Sequence, residues 1–249
     1  MDSNGSSASQ RVTLPLDLAW GFGLVALLCL ATGWLTSPPD LFYLLAAALY
    51  LGVCGLVIRA WPENRDFGWA NRATLLRGCL VIVLVALAPF AGHLTDSLWL
   101  YGWMALLALI LDGVDGKVAR ATGSESDFGA RFDMELDALF ILGLSIAVLA
   151  LGKAGIWVLA LGLIRYAFVA VSHYANWLNA PLPDSFRRKT VCVWQIVTLL
   201  VAVLPPINTL FASTTLATAL ALLVWSFFVD IHWLYQRRHH HDVHQPENP

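Results

Sequence analysis

The sequence predicts an all-α fold: a polytopic membrane helical bundle of about eight transmembrane helices. Three observations predict it. The chain is 58% hydrophobic and only 13% charged, with a mean hydropathy of +0.67, whereas a soluble domain is nearer half apolar and a quarter charged. Its apolar residues gather into runs close to the roughly 20 residues a spanning helix needs. Its basic residues recur on alternate loops, as they do when cytoplasmic loops retain lysine and arginine. The 11 tryptophans suit interfacial belts. The net charge of −2 decides nothing, because the distribution of charge matters more than its sum.

The elements follow in order. Residues 1–12 are Ser-rich and expected to be disordered. The first apolar run, 17–36, starts too late for a cleavable leader and ends in TGWLTSPPD, so it reads as a retained helix. A second run covers 41–59. A third, 73–91, begins with polar residues. The runs at 97–115 and 133–152 carry aspartates at their facing ends. The run at 155–175 contains Arg165, the one at 190–207 follows a basic group, and the last, 211–235, leads into the polar tail 237–249. That tail holds three successive histidines and reads as solvated rather than metal-binding. No long hydrophilic segment separates any pair of runs, so residues 61–236 are expected to form one domain, with 13–60 as two additional N-terminal helices.

With the N-terminus cytoplasmic, 13 of the 15 lysines and arginines lie inside; Lys153 falls outside and Arg165 is embedded. This bias places both termini and the aspartates on the cytoplasmic side. Cys29, Cys54, Cys79 and Cys192 lie in apolar segments with no CxxC pair. They read as small buried hydrophobes, not a disulfide frame or a metal site. Nothing in the charge pattern favours nucleic acid.

The segment LDGVDGKVARATGSESDFGARFDMELDAL, 111–139, concentrates acid between apolar runs. Asp112 and Asp115 are three apart, and Asp133 and Asp137 four apart, so on helices each pair shares a face. Gly123, Ser124, Ser126 and Gly129 mark a turn between them, which lets two antiparallel helices bring the pairs together. Glu135 points elsewhere and is set aside. Helix capping would explain Asp127 or Asp133. It does not explain Asp112 and Asp115, which follow MALLALIL at the expected C-terminal end of a helix, where the dipole disfavours anions. Four carboxylates repel one another and are costly at a membrane boundary. Lys117, Arg120 and Arg131 do not neutralise them comfortably. Two divalent cations would, and all-carboxylate ligation favours Mg²⁺ or Mn²⁺. Such a pair suits displacement at phosphorus. An EF-hand does not fit, since DGVDG lacks the spacing and the glutamate at position twelve. Gly116 lets a ligand approach the backbone. Arg120, one turn on, can hold a phosphate in bidentate fashion.

Written out, the segment is Asp112-x-x-Asp115-Gly116-x-x-Ala119-Arg120, eight residues, then Gly129-x-x-x-Asp133-x-x-x-Asp137. It resembles the signature of the CDP-alcohol phosphatidyltransferase family in every defining position. NRATLLR (71–77) resembles that family's segment at its first core helix, with Asn71, Thr74 and Arg77 in place and Ala70 where proline is often found. RRKT (187–190) resembles the basic segment before a later core helix. The resemblance covers about 71–235, a six-helix core. It implies transfer of a phosphatidyl group from CDP-diacylglycerol to a small alcohol acceptor with release of CMP. It further implies two Mg²⁺ ions held by Asp112, Asp115, Asp133 and Asp137, with Asp112 and Asp133 bridging and Asp137 also acting as base. Asn71, Thr74, Arg77, Gly116, Arg120, Ser126 and Gly129 would hold the CDP-lipid. A homodimer in a bacterial inner membrane is implied as well.

The acceptor is left open by the resemblance. Arg165 is embedded in LALGLIRYAFVA, and an intramembrane arginine usually faces an internal cavity. With Arg187, Arg188 and Lys189 it suits a phosphorylated polyol, glycerol 3-phosphate first, then inositol phosphate; inositol, serine and choline are alternatives. The bland reading of 187–189 is contact with anionic lipid. Two rivals differ in class. An intramembrane prenyltransferase also uses aspartates and Mg²⁺, but its acidic motifs lie far apart in the chain. An ion-coupled transporter would carry its acids near the midplane of broken, repeated helices.

Overall fold

The computed structural model describes residues 13–61, 67–94, 97–122, 126–179, 183 and 185–243. The side chains of Asp115, Arg120 and Asp127, and the expected turn residues Gly123 and Ser124, lie outside what is described, as do residues 1–12 and 244–249. Every described element is helical. In chain order these are α1 (Thr13–Thr36), α2 (Leu41–Ala60), α3 (Gly68–Leu87, continued by a 3₁₀ turn Ala88–His93), α4 (Leu98–Thr122), α5 (Asp127–Ala150), α6 (Ala160–Tyr174, preceded by a 3₁₀ turn Ile156–Leu159), α7 (Phe186–Val203) and α8 (Thr209–Val243). A further 3₁₀ turn, Asn176–Asn179, follows α6. The expected membrane bundle is thus present. By length and composition, α1, α2, α3 with its 3₁₀ extension, α6 with its 3₁₀ lead-in, and α8 are apolar enough to cross a membrane. In α4, α5 and α7 the apolar run is shared with the charges of the acidic segment or of RRK.

Helix α3 is the hub. Of its apolar window 78% is buried, against 22% for α1 and for α2, and it packs on α1, α2, α4 and α5. Small residues allow this: a Cβ on Gly143 of α5 would lie 2.6 Å from Val85 Cγ2 of α3, so the two backbones approach as small residues permit in membrane bundles. Helices α7 and α8 pack on each other, and α7 closes the bundle against α4 and α5.

The polar ties gather at one end. The Arg72 guanidinium donates to both carboxylate oxygens of Asp17 at 2.9 and 3.2 Å, joining the starts of α1 and α3. Trp61, Phe67 and Phe128 join the end of α2 to the starts of α3 and α5, with ring centroids 5.1 and 5.0 Å from Trp61. At the opposite end Lys153 Nζ donates to the Leu204 carbonyl at 2.5 Å.

Three expectations are corrected. The fourth run was expected to end near 115, but α4 continues to Thr122, because Lys117 to Arg120 are sound helix formers and no cap intervenes. Asp112 and Asp115 therefore sit more than a turn before the helix end, where the dipole argument against anions does not apply. Gly129 was expected in a turn; it lies in the first turn of α5, its N–H donating to the Ser126 cap at 3.0 Å. The last run was expected to end at 235, yet α8 carries the helix on to Val243.

Candidate active site

The site forms where the start of α3, the acidic part of α4 and the start of α5 meet. Asn71, Thr74 and Arg77 recur every three residues on α3 and are all buried. Arg77 is the deepest, with 3% of its side chain exposed. Its guanidinium contacts Asp112 of α4 and Asp133 of α5, and it donates to Asp137 Oδ1 at 3.1 Å. The three carboxylates each offer an oxygen within 4.8 Å of the others. They are 33%, 41% and 29% exposed. The arginine is thus a floor, and the carboxylates form a rim open on the other side.

Charge tests whether this set fits divalent metal. Three carboxylates and one guanidinium leave a residual charge of about −2 on partly buried groups. Residual charge of that size at a membrane boundary is costly unless paired or functional. Oxygen-only ligands from aspartate are what Mg²⁺ and Mn²⁺ prefer. The residues fit such ions, and among the described residues Asp112, Asp133 and Asp137 would hold them.

Of the expected nucleotide-lipid residues, Asn71, Ser126 and Gly129 meet where α3 approaches the start of α5, and the side chain of Arg120 lies outside the described residues. The Ser126 Oγ that caps α5 faces the first turn of the same helix as Asp133 and Asp137. A Cβ at Gly129 would meet Asn71 Oδ1 at 2.9 Å and Ser126 Oγ at 3.1 Å. A larger residue there would have to displace the Asn71 amide, which is buried over this turn. Asn71 Nδ2 in turn donates to the Phe67 carbonyl at 2.6 Å, and Thr74 Oγ1 to the Ala70 carbonyl at 3.1 Å. Gly116 is partly buried on α4, beyond Asp112. Arg77, placed by resemblance with the CDP-lipid group, lies against the carboxylates themselves.

The expected acceptor group divides. Arg165 Nη2 donates to Glu135 Oε1 at 2.8 Å, while its Nε is buried without a partner. The bond to Glu135, two residues from Asp133, ties α6 to the acid-bearing start of α5. Arg187 is held in structure: it donates to the Ser226 carbonyl, to Ser226 Oγ and to Asp230 Oδ1, each at 2.6 Å. Arg188 lies 3.7 Å from Asp230 and donates to the Pro183 carbonyl at 2.5 Å. Lys189 is exposed. Sequence reasoning passed over two of these partners, Glu135 and Asp230. The available signal was depth: α7 and α8 run antiparallel, so a cation in the first turn of α7 meets an acid late in α8.

An all-helical membrane bundle with an aspartate rim, a buried arginine floor and a capped helix start defines a membrane enzyme built around acid-held polar chemistry at one end. The family model described as CDP-alcohol phosphatidyltransferase matches residues 67–227. The chain belongs to the CDP-alcohol phosphatidyltransferase family, and it is a transferase of phospholipid biosynthesis. It is 31% identical over 177 residues to a probable phosphatidylglycerophosphate synthase of Mycobacterium tuberculosis, covering 68% of this chain and 85% of the relative. It is 26% identical over 163 residues to a putative cardiolipin synthase of Mycobacterium bovis, covering 64% and 78%. It is 32% identical over 130 residues to ethanolaminephosphotransferase 1 of Homo sapiens, covering 47% of this chain and 32% of that one. No solved structure matches. The matched span opens at the residue before α3, so α1 and α2 fall outside it.

Proposed function

We propose that the chain transfers the phosphatidyl group of CDP-diacylglycerol to the hydroxyl of a phosphorylated polyol, glycerol 3-phosphate first, releasing CMP. The observation that carries this is the rim of Asp112, Asp133 and Asp137, whose oxygens lie within 4.8 Å of one another at the polar end of a membrane bundle. The mycobacterial relative named for phosphatidylglycerophosphate supports the choice of acceptor.

The roles follow the family resemblance, and placement supports those of the described residues. Asp112, Asp133 and Asp137, with Asp115, hold two Mg²⁺ ions, or Mn²⁺ in their place. Bound there, the metal supplies neutralisation of the diphosphate and of the departing CMP. Asn71, Thr74, Gly116, Arg120, Ser126 and Gly129 bind the nucleotide-diphosphate and orient it. Arg77 fixes the carboxylates from below. Asp137 accepts the proton of the acceptor hydroxyl as its oxygen attacks the phosphorus that bears diacylglycerol; the bond from that phosphorus to the CMP oxygen breaks. Arg165 binds the acceptor's phosphate, with Arg188 and Lys189 adding positive charge and Arg187 bracing α7 against α8. The chain works as a homodimer in a bacterial inner membrane, its site and termini cytoplasmic, with 61–236 as the core and α1 and α2 as an addition.

The test is CMP release by purified protein from CDP-diacylglycerol with Mg²⁺, offered each acceptor in turn. Release with glycerol 3-phosphate that stops with chelator is the expected result. Release with inositol, serine or choline alone would reassign the acceptor, and no release with any would remove the reading.

A further inference from the structure

Beyond the contact of Trp61 with Phe128, α2 and α5 stand apart. Between them lies a groove of about 820 Å³, lined by Leu45, Ala48, Gly52 and Leu56 from α2 and by Phe132 and Leu139 from α5. Its wall on α2 runs from Leu45 to Ala60, about 22 Å of helix. Gly52 opens it further, since nothing lies within 4 Å of where its Cβ would be. Glu135 lines the groove. It lies two residues, roughly 200° of helix, from Asp133. The groove therefore belongs to the face of α5 turned away from the aspartate rim.

The groove is apolar along its length and polar at one end. Arg131 lines that end, and Arg59, in the last turn of α2, continues the face of Ala48, Gly52 and Leu56 at helical spacing. Among the described residues neither arginine has an acidic partner. Glu135 is neutralised by Arg165 at 2.8 Å. The mouth is thus left positive, on the side of the bundle that carries most of the lysine and arginine.

Polarity and charge select the occupant. The apolar length of the groove suits acyl chains, and two arginines with no acidic partner among the described residues suit a phosphate at their head. We propose that this groove is a binding site for an anionic glycerophospholipid, separate from the site that takes the reacting lipid, with an acyl chain between α2 and α5 and its phosphate on Arg59 and Arg131.

The test is native mass spectrometry of the full chain in detergent, offered phosphatidylglycerol and phosphatidylcholine of identical acyl chains. Wild type should retain phosphatidylglycerol over phosphatidylcholine by about tenfold. Arg59→Gln with Arg131→Gln, both surface changes that leave the fold in place, should bring that preference close to one. Gly52→Phe should lose retained lipid altogether while melting normally. Equal retention of the two lipids by wild type, or an unchanged preference in the arginine pair variant, would overturn the proposal. So would a shift from dimer to monomer in Gly52→Phe with lipid unaltered, which would assign the groove to a second copy. CMP release does not enter the readout, so failure here leaves the proposed reaction standing.

Discussion

Arg77 and Asp137 carry the account at the scale of single residues. Asp137 sits on the rim, 29% exposed, with Arg77 bonded to one of its oxygens. Asp137→Asn keeps the shape and removes the proposed proton acceptor. Turnover should fall by about 10²–10⁴-fold, while binding of CDP-diacylglycerol, followed by retention on the protein, should persist. Arg77→Ala removes the guanidinium beneath three carboxylates. Breaking a buried pair costs about 3–5 kcal/mol, and the lower end applies because the acids keep about a third of their surface. The melting temperature in detergent should drop accordingly, and added Mg²⁺ should restore part of it; an unchanged melt would show that the contacts contribute nothing. Arg165→Ala should raise KM for a phosphorylated acceptor with kcat little altered. The aspartate rim was legible in the sequence because its spacings are local: three, four and one short turn. The arginine floor was legible only as a residue of a motif, not as a partner of the acids, since Arg77 meets Asp133 and Asp137 across 56 and 60 residues. Likewise Glu135 was set aside because it faces away from Asp133, and its partner Arg165 lies 30 residues on.

The start of α5 decides the site at the scale of the element. Ser126 caps it, Gly129 leaves room for Asn71, and Asp133 and Asp137 follow on the face toward α3. Ser126→Ala should cost about 1 kcal/mol of stability and lower activity by more than that loss of folded protein explains, because the cap also orients the acids. Gly143→Ala places a methyl 2.6 Å from Val85 Cγ2 and overpacks the α3–α5 contact, at about 1–3 kcal/mol, read as a lower melting temperature. The helices themselves were legible from apolar runs. Their ends were less so. Asp112 and Asp115 looked terminal because the apolar run stops there, but Gly116 alone does not stop a helix whose next residues favour it.

For the whole molecule, charge orders the bundle. The Asp17–Arg72, Arg77–aspartate, Glu135–Arg165 and Arg187–Asp230 contacts all lie toward one end, and Lys153 toward the other. Alternation of basic loops in the sequence foretold that sidedness. It could not foretell which helix is central, because α1, α2 and α3 are similarly apolar; only packing makes α3 the hub. Nor could it show the gap between α2 and α5, which depends on how an added helix leans on a core it does not fill.

The central claim is that the aspartate rim is a divalent-metal site serving a CDP-lipid. Its most direct test is Mn²⁺ binding to the purified chain, followed by electron paramagnetic resonance with and without CDP-diacylglycerol. The account predicts about two ions per chain, tightened by the lipid, displaced by Mg²⁺, and lost in Asp133→Asn. A wild-type chain that binds no Mn²⁺ even with the lipid present, or an Asp133→Asn chain that binds as wild type does, would contradict it.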